Sequence, residues 1–188
     1  MRIGPVPRAL SSLVVAAAAA LGLAGCSGGA DPAPEPTSPA SVVAETARPV
    51  STADLAALFT GNSTEELDRR QGRCFARALQ RRLDFFELEA GGIVDSQGDV
   101  VEVLPVFDEA TAETWVDAQL TCVDYVEAST RALLTQTRGG LDAEAYAACL
   151  RDAVTGDEVR TALVQTLSGG FDSPEVAALA DAQASCAG

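Results

Sequence analysis

The chain has 188 residues, of which 27 are acidic, 13 are arginine or lysine and none is histidine, so its formal charge is −14. Such an acidic surface repels phosphate backbones, which argues against nucleic acid as a partner. The lack of histidine excludes the Ser-His-Asp and Cys-His catalytic mechanisms.

The first 25 residues have the layout of an export signal. Arg2 and Arg8 give a positively charged start, and residues 10–23 are then uncharged and mostly apolar. That stretch is shorter than the roughly 20 apolar residues of a membrane-spanning helix. Residues 1–25 are therefore predicted to be a signal peptide.

The signal ends in Leu23-Ala24-Gly25-Cys26, which resembles the lipobox of bacterial lipoproteins. The resemblance covers only the first 26 residues. It implies cleavage between Gly25 and Cys26 and attachment of a diacylglyceryl group to the Cys26 thiol. Because two acyl chains anchor a protein stably and one does not, it further implies a lipid-anchored protein on the extracytoplasmic face of the cell membrane. The alternative is an ordinary secretory signal with a chance cysteine at its end.

Residues 26–50 are predicted to be a lipid-anchored spacer rich in proline, alanine and serine, since five of the nine prolines lie here. Such a stretch buries too little apolar surface to fold and behaves as a semi-extended linker. The remainder, residues 51–188, has the length of one domain. Cleavage would leave 27 acidic residues against 11 arginines, a formal charge of −16.

The domain is predicted to be all-α. Capping patterns recur at Ser51, Ser63, Thr155 and Ser173, and glycines mark the helix ends. The predicted helices are 52–59, 64–89, 109–137, 142–153, 156–167 and 174–186. Between the second and third, two β-branched runs around Asp95-Ser-Gln-Gly-Asp99 indicate a short hairpin or extended loop near residues 92–106.

A repeated hexapeptide suggests two pseudo-repeated units. Residues 117–122 read DAQLTC and residues 181–186 read DAQASC, each preceded by a mid-helix cysteine and a Gly-Gly pair. We interpret residues 51–137 and 141–188 as two copies of one unit. The alternative is a chance resemblance between alanine-rich helices.

Four cysteines remain besides Cys26, and an even number in an exported chain favours two disulfides. The repeat predicts the pairs Cys74–Cys122 and Cys149–Cys186, each within one unit. The exchanged pairs Cys74–Cys149 and Cys122–Cys186 also fit a duplication. A zinc site is disfavoured because closely spaced cysteine pairs and histidine are both missing from the sequence. We expect no metal and no cofactor.

Five arginines are predicted to form one face of the second helix, opposite a face made by Leu67, Cys74, Phe75, Ala78, Leu79 and Phe86. They are Arg69, Arg70, Arg73, Arg77 and Arg81. A row of guanidinium groups in an acidic protein can dock an anionic partner. The alternative is a solvated face whose arginines pair with acids on neighbouring helices.

These features favour a non-enzymatic, membrane-tethered module that binds an envelope protein or an anionic envelope polymer. One alternative is a carrier that holds a small molecule or lipid between the two units. A second is a glycan hydrolase that uses paired carboxylates. No catalytic residue is singled out, although Asp117 and Asp181 are distinguished by the repeat, and Trp115, Tyr125 and Tyr146 are predicted to be core residues.

The lipid anchor can be tested by substituting Cys26, the only cysteine among the first 73 residues. We expect Cys26→Ala to abolish incorporation of an alkyne-tagged fatty acid, measured by click labelling of the purified protein, because the thiol is the attachment point. Ser27→Ala is the matched control and should keep the label. Undiminished labelling of the Cys26→Ala protein would contradict the anchor.

Overall fold

The computed structural model describes residues 49–61 and 63–188, so the predicted signal peptide, Cys26 and the spacer up to residue 48 lie outside the described residues. All described residues belong to one compact unit. They form eight α-helices, which confirms the predicted all-α class. The helices are α1 (Thr52–Thr60), α2 (Glu66–Gln80), α3 (Phe85–Ala90), α4 (Glu109–Cys122), α5 (Tyr125–Gln136), α6 (Ala143–Ala153), α7 (Gly156–Leu167) and α8 (Pro174–Cys186).

None of these eight helices is both long enough and apolar enough to cross a membrane.

Most of the predicted helix starts are confirmed by side-chain caps. The Ser51 hydroxyl accepts a hydrogen bond from the Asp54 amide, and the Ser173 hydroxyl caps α8 just before Pro174. Thr155 and Glu158 cap α7 reciprocally, each side chain accepting from the other residue's backbone amide. Ser63 is the exception, because Glu65 is the residue that precedes the helix and no side chain caps it. The Ser63 hydroxyl accepts a hydrogen bond from the Glu65 amide at 3.2 Å and donates to the Asp68 carboxylate at 2.7 Å. The helix after it begins at Glu66, two residues later than predicted.

The predicted helix 64–89 is wrong in its length, because it breaks between Gln80 and Phe85. Asp84 adopts an extended backbone conformation, and its carboxylate accepts a hydrogen bond from the Glu87 amide. The Glu87 carboxylate accepts in turn from the Asp84 amide at 2.8 Å, which completes a capping box and starts a new helix. The break takes Phe86 off the predicted buried face, and its side chain is 70% exposed.

The predicted helix 109–137 is broken in the same way. It ends at Cys122 and restarts at Tyr125, because the Asp124 carboxylate accepts a hydrogen bond from the Glu127 amide at 2.8 Å. Both breaks therefore fall at an Asp-x-x-Glu sequence. A capping residue followed three positions later by an acid is a helix-start signal even inside a continuous helical pattern.

The segment near residues 92–106, predicted to be a short hairpin or extended loop, contains a single β-bridge and is otherwise a loop. Val94 and Val100 make one antiparallel bridge. Between them, the Asp95 carboxylate accepts hydrogen bonds from the amides of Gln97 and Asp99 and so closes the turn. Further along, the Phe107 amide donates to the Leu167 carbonyl at 3.0 Å, which attaches the end of this segment to α7.

An aromatic cluster forms the centre of the main core. The Phe75 ring stacks on Phe59 with 4.2 Å between ring centroids, and its centroid lies 4.6 Å from that of Trp115. Phe107 contacts the same indole, with 5.4 Å between centroids. Leu55 from α1 and Val164 from α7 are buried in the same cluster. The main core therefore joins α1, α2, α4 and α7.

Two disulfides fasten the helices in pairs. Cys74–Cys122 joins the middle of α2 to the end of α4, and Cys149–Cys186 joins the middle of α6 to the end of α8. The predicted pairing within each unit is confirmed, and the exchanged pairing is excluded. The two bridges occupy equivalent positions in the two halves, as a duplication would require. The duplication itself stays a prediction.

A polar network holds α5, α6 and α8 together. The Gln183 amide of α8 donates to the Tyr125 hydroxyl at 2.9 Å and to the Ser129 hydroxyl at 3.0 Å. The hydroxyls of Ser129 and Tyr146 are 2.8 Å apart and share a further hydrogen bond. Burial, together with the neighbouring Tyr146, raises the pKa of Tyr125 to about 12. The hydroxyl of Tyr125 therefore stays protonated further into the alkaline range than an ordinary tyrosine.

The aromatic core can be tested with two phenylalanines of the same chain. Phe75 is fully buried, so Phe75→Ala should lower the free energy of unfolding by about 3–5 kcal/mol, measured by urea denaturation under oxidising conditions. Phe86→Ala removes an exposed ring and should change it by less than about 1 kcal/mol. Equal losses for the two variants would contradict this description of the core.

Candidate functional site: the arginine face of α2

The five arginines predicted from the sequence lie on one face of the described structure. Four of them belong to α2, and Arg81 is the residue that caps its C-terminus. All five are exposed. At about 100° per residue they fall within an arc of about 120°. The buried residues of the helix, which include Phe75 and Leu79, lie on the opposite side. We call these five residues the arginine face.

Glu66 is the acidic partner of this face. Its carboxylate lies 2.9 Å from the Arg69 guanidinium and 3.6 Å from that of Arg73. Both guanidinium side chains remain about half exposed, at 53% and 49%. Arg70 and Arg77 make no ion pair within the described part of the chain. One carboxylate against five guanidinium groups leaves the face with a formal charge of +4.

The alternative prediction, that acids on neighbouring helices neutralise this face, applies instead to two other arginines. Arg131 of α5 pairs with Asp68 of α2 at 3.1 Å and donates to the Gln71 side chain at 3.2 Å. The hydrogen bond from Ser63, followed by that from Arg131, holds the pKa of Asp68 below its usual range. This carboxylate therefore stays ionised and ties α5 to the side of α2.

Arg160 makes the second tie between helices. Its Nε atom donates to the Asp117 carboxylate at 2.7 Å, and its Nη1 atom lies 3.7 Å from the Glu113 carboxylate. The bond to Asp117 is the main reason that the pKa of Arg160 is raised above its usual value. This tie links α7 to α4. The interhelical ion pairs therefore use arginines that are not part of the arginine face.

The arginine face has the dimensions of an extended binding site. Arg69, Arg73, Arg77 and Arg81 are four residues apart, which places successive side chains about 6 Å apart along the axis. The whole row extends for about 18 Å. Guanidinium groups form paired hydrogen bonds with phosphate and carboxylate oxygens, so such a row suits an anionic chain with several charged groups.

The arginine face is held on a rigid support. Cys74 lies at its border, is exposed, and fastens the middle of α2 to α4 through Cys122. The opposite side of the helix packs into the aromatic core through Phe75. Side chains on a rigidly held helix lose less conformational entropy when they bind a partner than side chains on a loop do.

Most of the other candidates from the sequence have structural roles. Trp115 and Tyr146 are buried as predicted, and Tyr125 belongs to the polar network. Asp117 pairs with Arg160, whereas its repeat counterpart Asp181 is exposed and makes no ion pair among residues 49–61 and 63–188. Within the same ranges, no group of three histidine, cysteine or acidic side chains is arranged to hold a metal ion.

Sequence reasoning missed a set of large apolar side chains at the surface. Val103 and Val106 from the segment after the hairpin are exposed, and so is Phe171 from the turn between α7 and α8. Val106 lies next to Gly169, close to that turn. The sequence did contain a signal for their exposure. Pro105 lies beside the two valines and Gly169-Gly170 precedes Phe171, and proline and paired glycines are typical of surface turns.

Comparison of the chain with protein-family models, with curated proteins and with solved structures found no match.

The ion pair between α4 and α7 can be tested with the two repeated aspartates. Asp117→Asn should lower the free energy of unfolding by about 0.5–1 kcal/mol, since it weakens a partly exposed pair with Arg160. Asp181→Asn is the matched control and should have a smaller effect. Urea denaturation at low and high salt provides the measurement, and the difference between the two variants should shrink in high salt. A larger loss from Asp181→Asn would contradict this role.

Proposed function

We propose that the protein is a lipid-anchored, extracytoplasmic binding module. In this proposal, the arginine face of α2 docks an anionic polymer of the cell envelope that carries phosphate or carboxylate groups. The observation that supports the proposal is that five exposed arginines share one helix face and that, among the residues the structure describes, only Glu66 pairs with them. The rest of the protein is strongly acidic, so this face is a local exception.

The proposed location at the membrane surface rests on Leu23-Ala24-Gly25-Cys26, the segment that resembles a lipobox. The spacer from residue 26 to residue 50 would then separate the domain from the bilayer. At about 3.1 Å per residue, a 25-residue segment in an extended proline-rich conformation would span about 78 Å. A domain on such a tether samples the layer next to the membrane, where a long polymer could reach it.

The balance of charges sets how the partner would bind. With a formal charge of −16 after cleavage, the protein as a whole repels polyanions at long range. Attraction would come from the arginine face at short range, where each guanidinium can form paired hydrogen bonds with one anionic group. Binding should therefore depend on several arginines at once and should weaken as salt is added.

We favour this binding function over the carrier and the glycan hydrolase. A carrier needs an enclosed cavity and a hydrolase needs a pair of catalytic carboxylates, whereas binding at the arginine face needs neither. The shifted pKa values also have structural causes. The pKa of Asp108 is lowered mainly by a hydrogen bond from the Thr111 hydroxyl, and that of Glu158 mainly by the helix-capping bond from the Thr155 amide. The pKa values of Asp68 and Arg160 are shifted mainly by hydrogen bonds to neighbouring side chains. Perturbed pKa values at a catalytic site instead match a chemical task.

The arginine face can be tested with two pairs of substitutions that change the charge equally. Arg70→Gln with Arg77→Gln removes two arginines of the face. Full-length protein in zwitterionic nanodiscs would be titrated with polyphosphate and with polyglutamate. We expect affinity for the better ligand to fall about tenfold, since each exposed charged contact contributes about 0.5–1 kcal/mol.

The matched control is Arg138→Gln with Arg151→Gln, two exposed arginines outside the face. This variant should bind within about twofold of the unchanged protein. Equal losses for the two variants would show that net charge alone governs binding, and no loss for either would remove the arginine face from the interaction. Binding of an acidic peptide in preference to both polymers would replace the polymer by a protein partner.

A further inference from the structure

A groove of about 500 Å³ lies between α6, α7 and α8, and α2 contributes no residue to it. We call the apolar part of its lining the floor. Val154 follows the end of α6, and Ala178 and Leu179 belong to the first half of α8. Grooves that bind small organic molecules are commonly about 300–1,000 Å³ and mostly apolar. Size and lining therefore fit a small ligand with an apolar body.

We call the charged part of the groove's lining the rim, and all of it is acidic. Asp157 and Glu158 lie in the first turn of α7, and Glu175 lies in the first turn of α8. No basic residue lines the groove. The N-termini of the two helices offset about one unit of this charge, at about half a charge each. About two negative charges remain at the edge of an apolar floor.

Two of these carboxylates are available to a ligand. Glu158 accepts hydrogen bonds from the amide and hydroxyl of Thr155, and so it is engaged in capping α7. The carboxylates of Asp157 and Glu175 make no ion pair or side-chain hydrogen bond with any residue of the described ranges. They belong to different helices, α7 and α8, and both line the groove.

We propose that this groove binds a small amphipathic organic cation, with its apolar body on Val154 and Leu179 and its ammonium group at Asp157 and Glu175. Fatty acids and other amphipathic anions fit the floor but are repelled by the rim. Simple inorganic cations suit the rim but gain nothing from the floor. The proposal does not depend on the lipid anchor or on the arginine face, since it uses different residues.

The test is methyl NMR of the full-length protein in zwitterionic nanodiscs, titrated with 2-phenylethylammonium. We expect saturable shifts of the Val154 and Leu179 methyl signals, whereas the signals of Leu55, which is fully buried in the main core, should stay in place. Two probes with the same ring but a different head group, 2-phenylethanol and 3-phenylpropanoate, separate the contribution of the charge from that of the apolar body. Both should bind at least fivefold more weakly than the cation.

Substitutions locate the charge that the probe recognises. Asp157→Asn with Glu175→Gln should weaken binding of the cation at least fivefold and should leave the Leu55 signals unchanged, which shows that the variant is folded. Glu109→Gln with Glu144→Gln removes two acids from the first turns of other helices and serves as the matched control. It should bind the cation within twofold of the unchanged protein.

Three results would overturn the proposal. They are equal or tighter binding of the alcohol or the carboxylate, unchanged binding by the Asp157/Glu175 double variant, and the lack of any saturable shift at millimolar cation.

Discussion

The two disulfides are the constraint on which the rest of the structure depends. Each ties the middle of one helix to the end of another, across 48 residues for Cys74–Cys122 and 37 residues for Cys149–Cys186. In the chain-entropy model, loops of this size stabilise the folded state by about 4 kcal/mol each. Typical domains are stable by only about 5–15 kcal/mol. The bridges matter most in the second half, because no residue of α8 is fully buried and apolar packing alone holds that helix weakly.

The same bridges support both proposed binding surfaces. The arginine face lies on α2, which Cys74 fastens to α4, and the apolar groove lies beside α8, which Cys186 fastens to α6. The two surfaces also carry opposite charges, since the arginine face is basic and the charged residues that line the groove are all acidic. Arg131 and Arg160 form the ion pairs between helices, whereas the arginine face of α2 lies opposite the buried side of that helix and is exposed. One protein could therefore bind ligands of opposite charge at separate places.

The repeated hexapeptide has different roles in its two copies. In the first copy, Asp117 makes the interhelical ion pair with Arg160. In the second copy, Gln183 makes the interhelical hydrogen bonds, to Tyr125 and Ser129. The cysteines that end the copies have the same role in both. The cysteine therefore forms a disulfide in both copies, whereas the residue that makes the polar contact between helices is different in each copy.

The sequence by itself determined the helical class, most helix starts and the exposure of the arginine face, and it favoured the pairing of the cysteines that the structure shows. These features depend on local patterns, such as a hydroxyl before an acid, the 100° step of a helix, or a repeat around a cysteine. The helix breaks at Asp84 and Asp124 also follow from a local sequence, Asp-x-x-Glu. They were not predicted, because the helical pattern of apolar residues continues across both positions. Only the tertiary structure decided which arginines pair with acids on other helices and that α6, α7 and α8 border a groove. Those outcomes depend on which helices pack together, and contacts between residues far apart in the chain leave no periodic trace in one sequence.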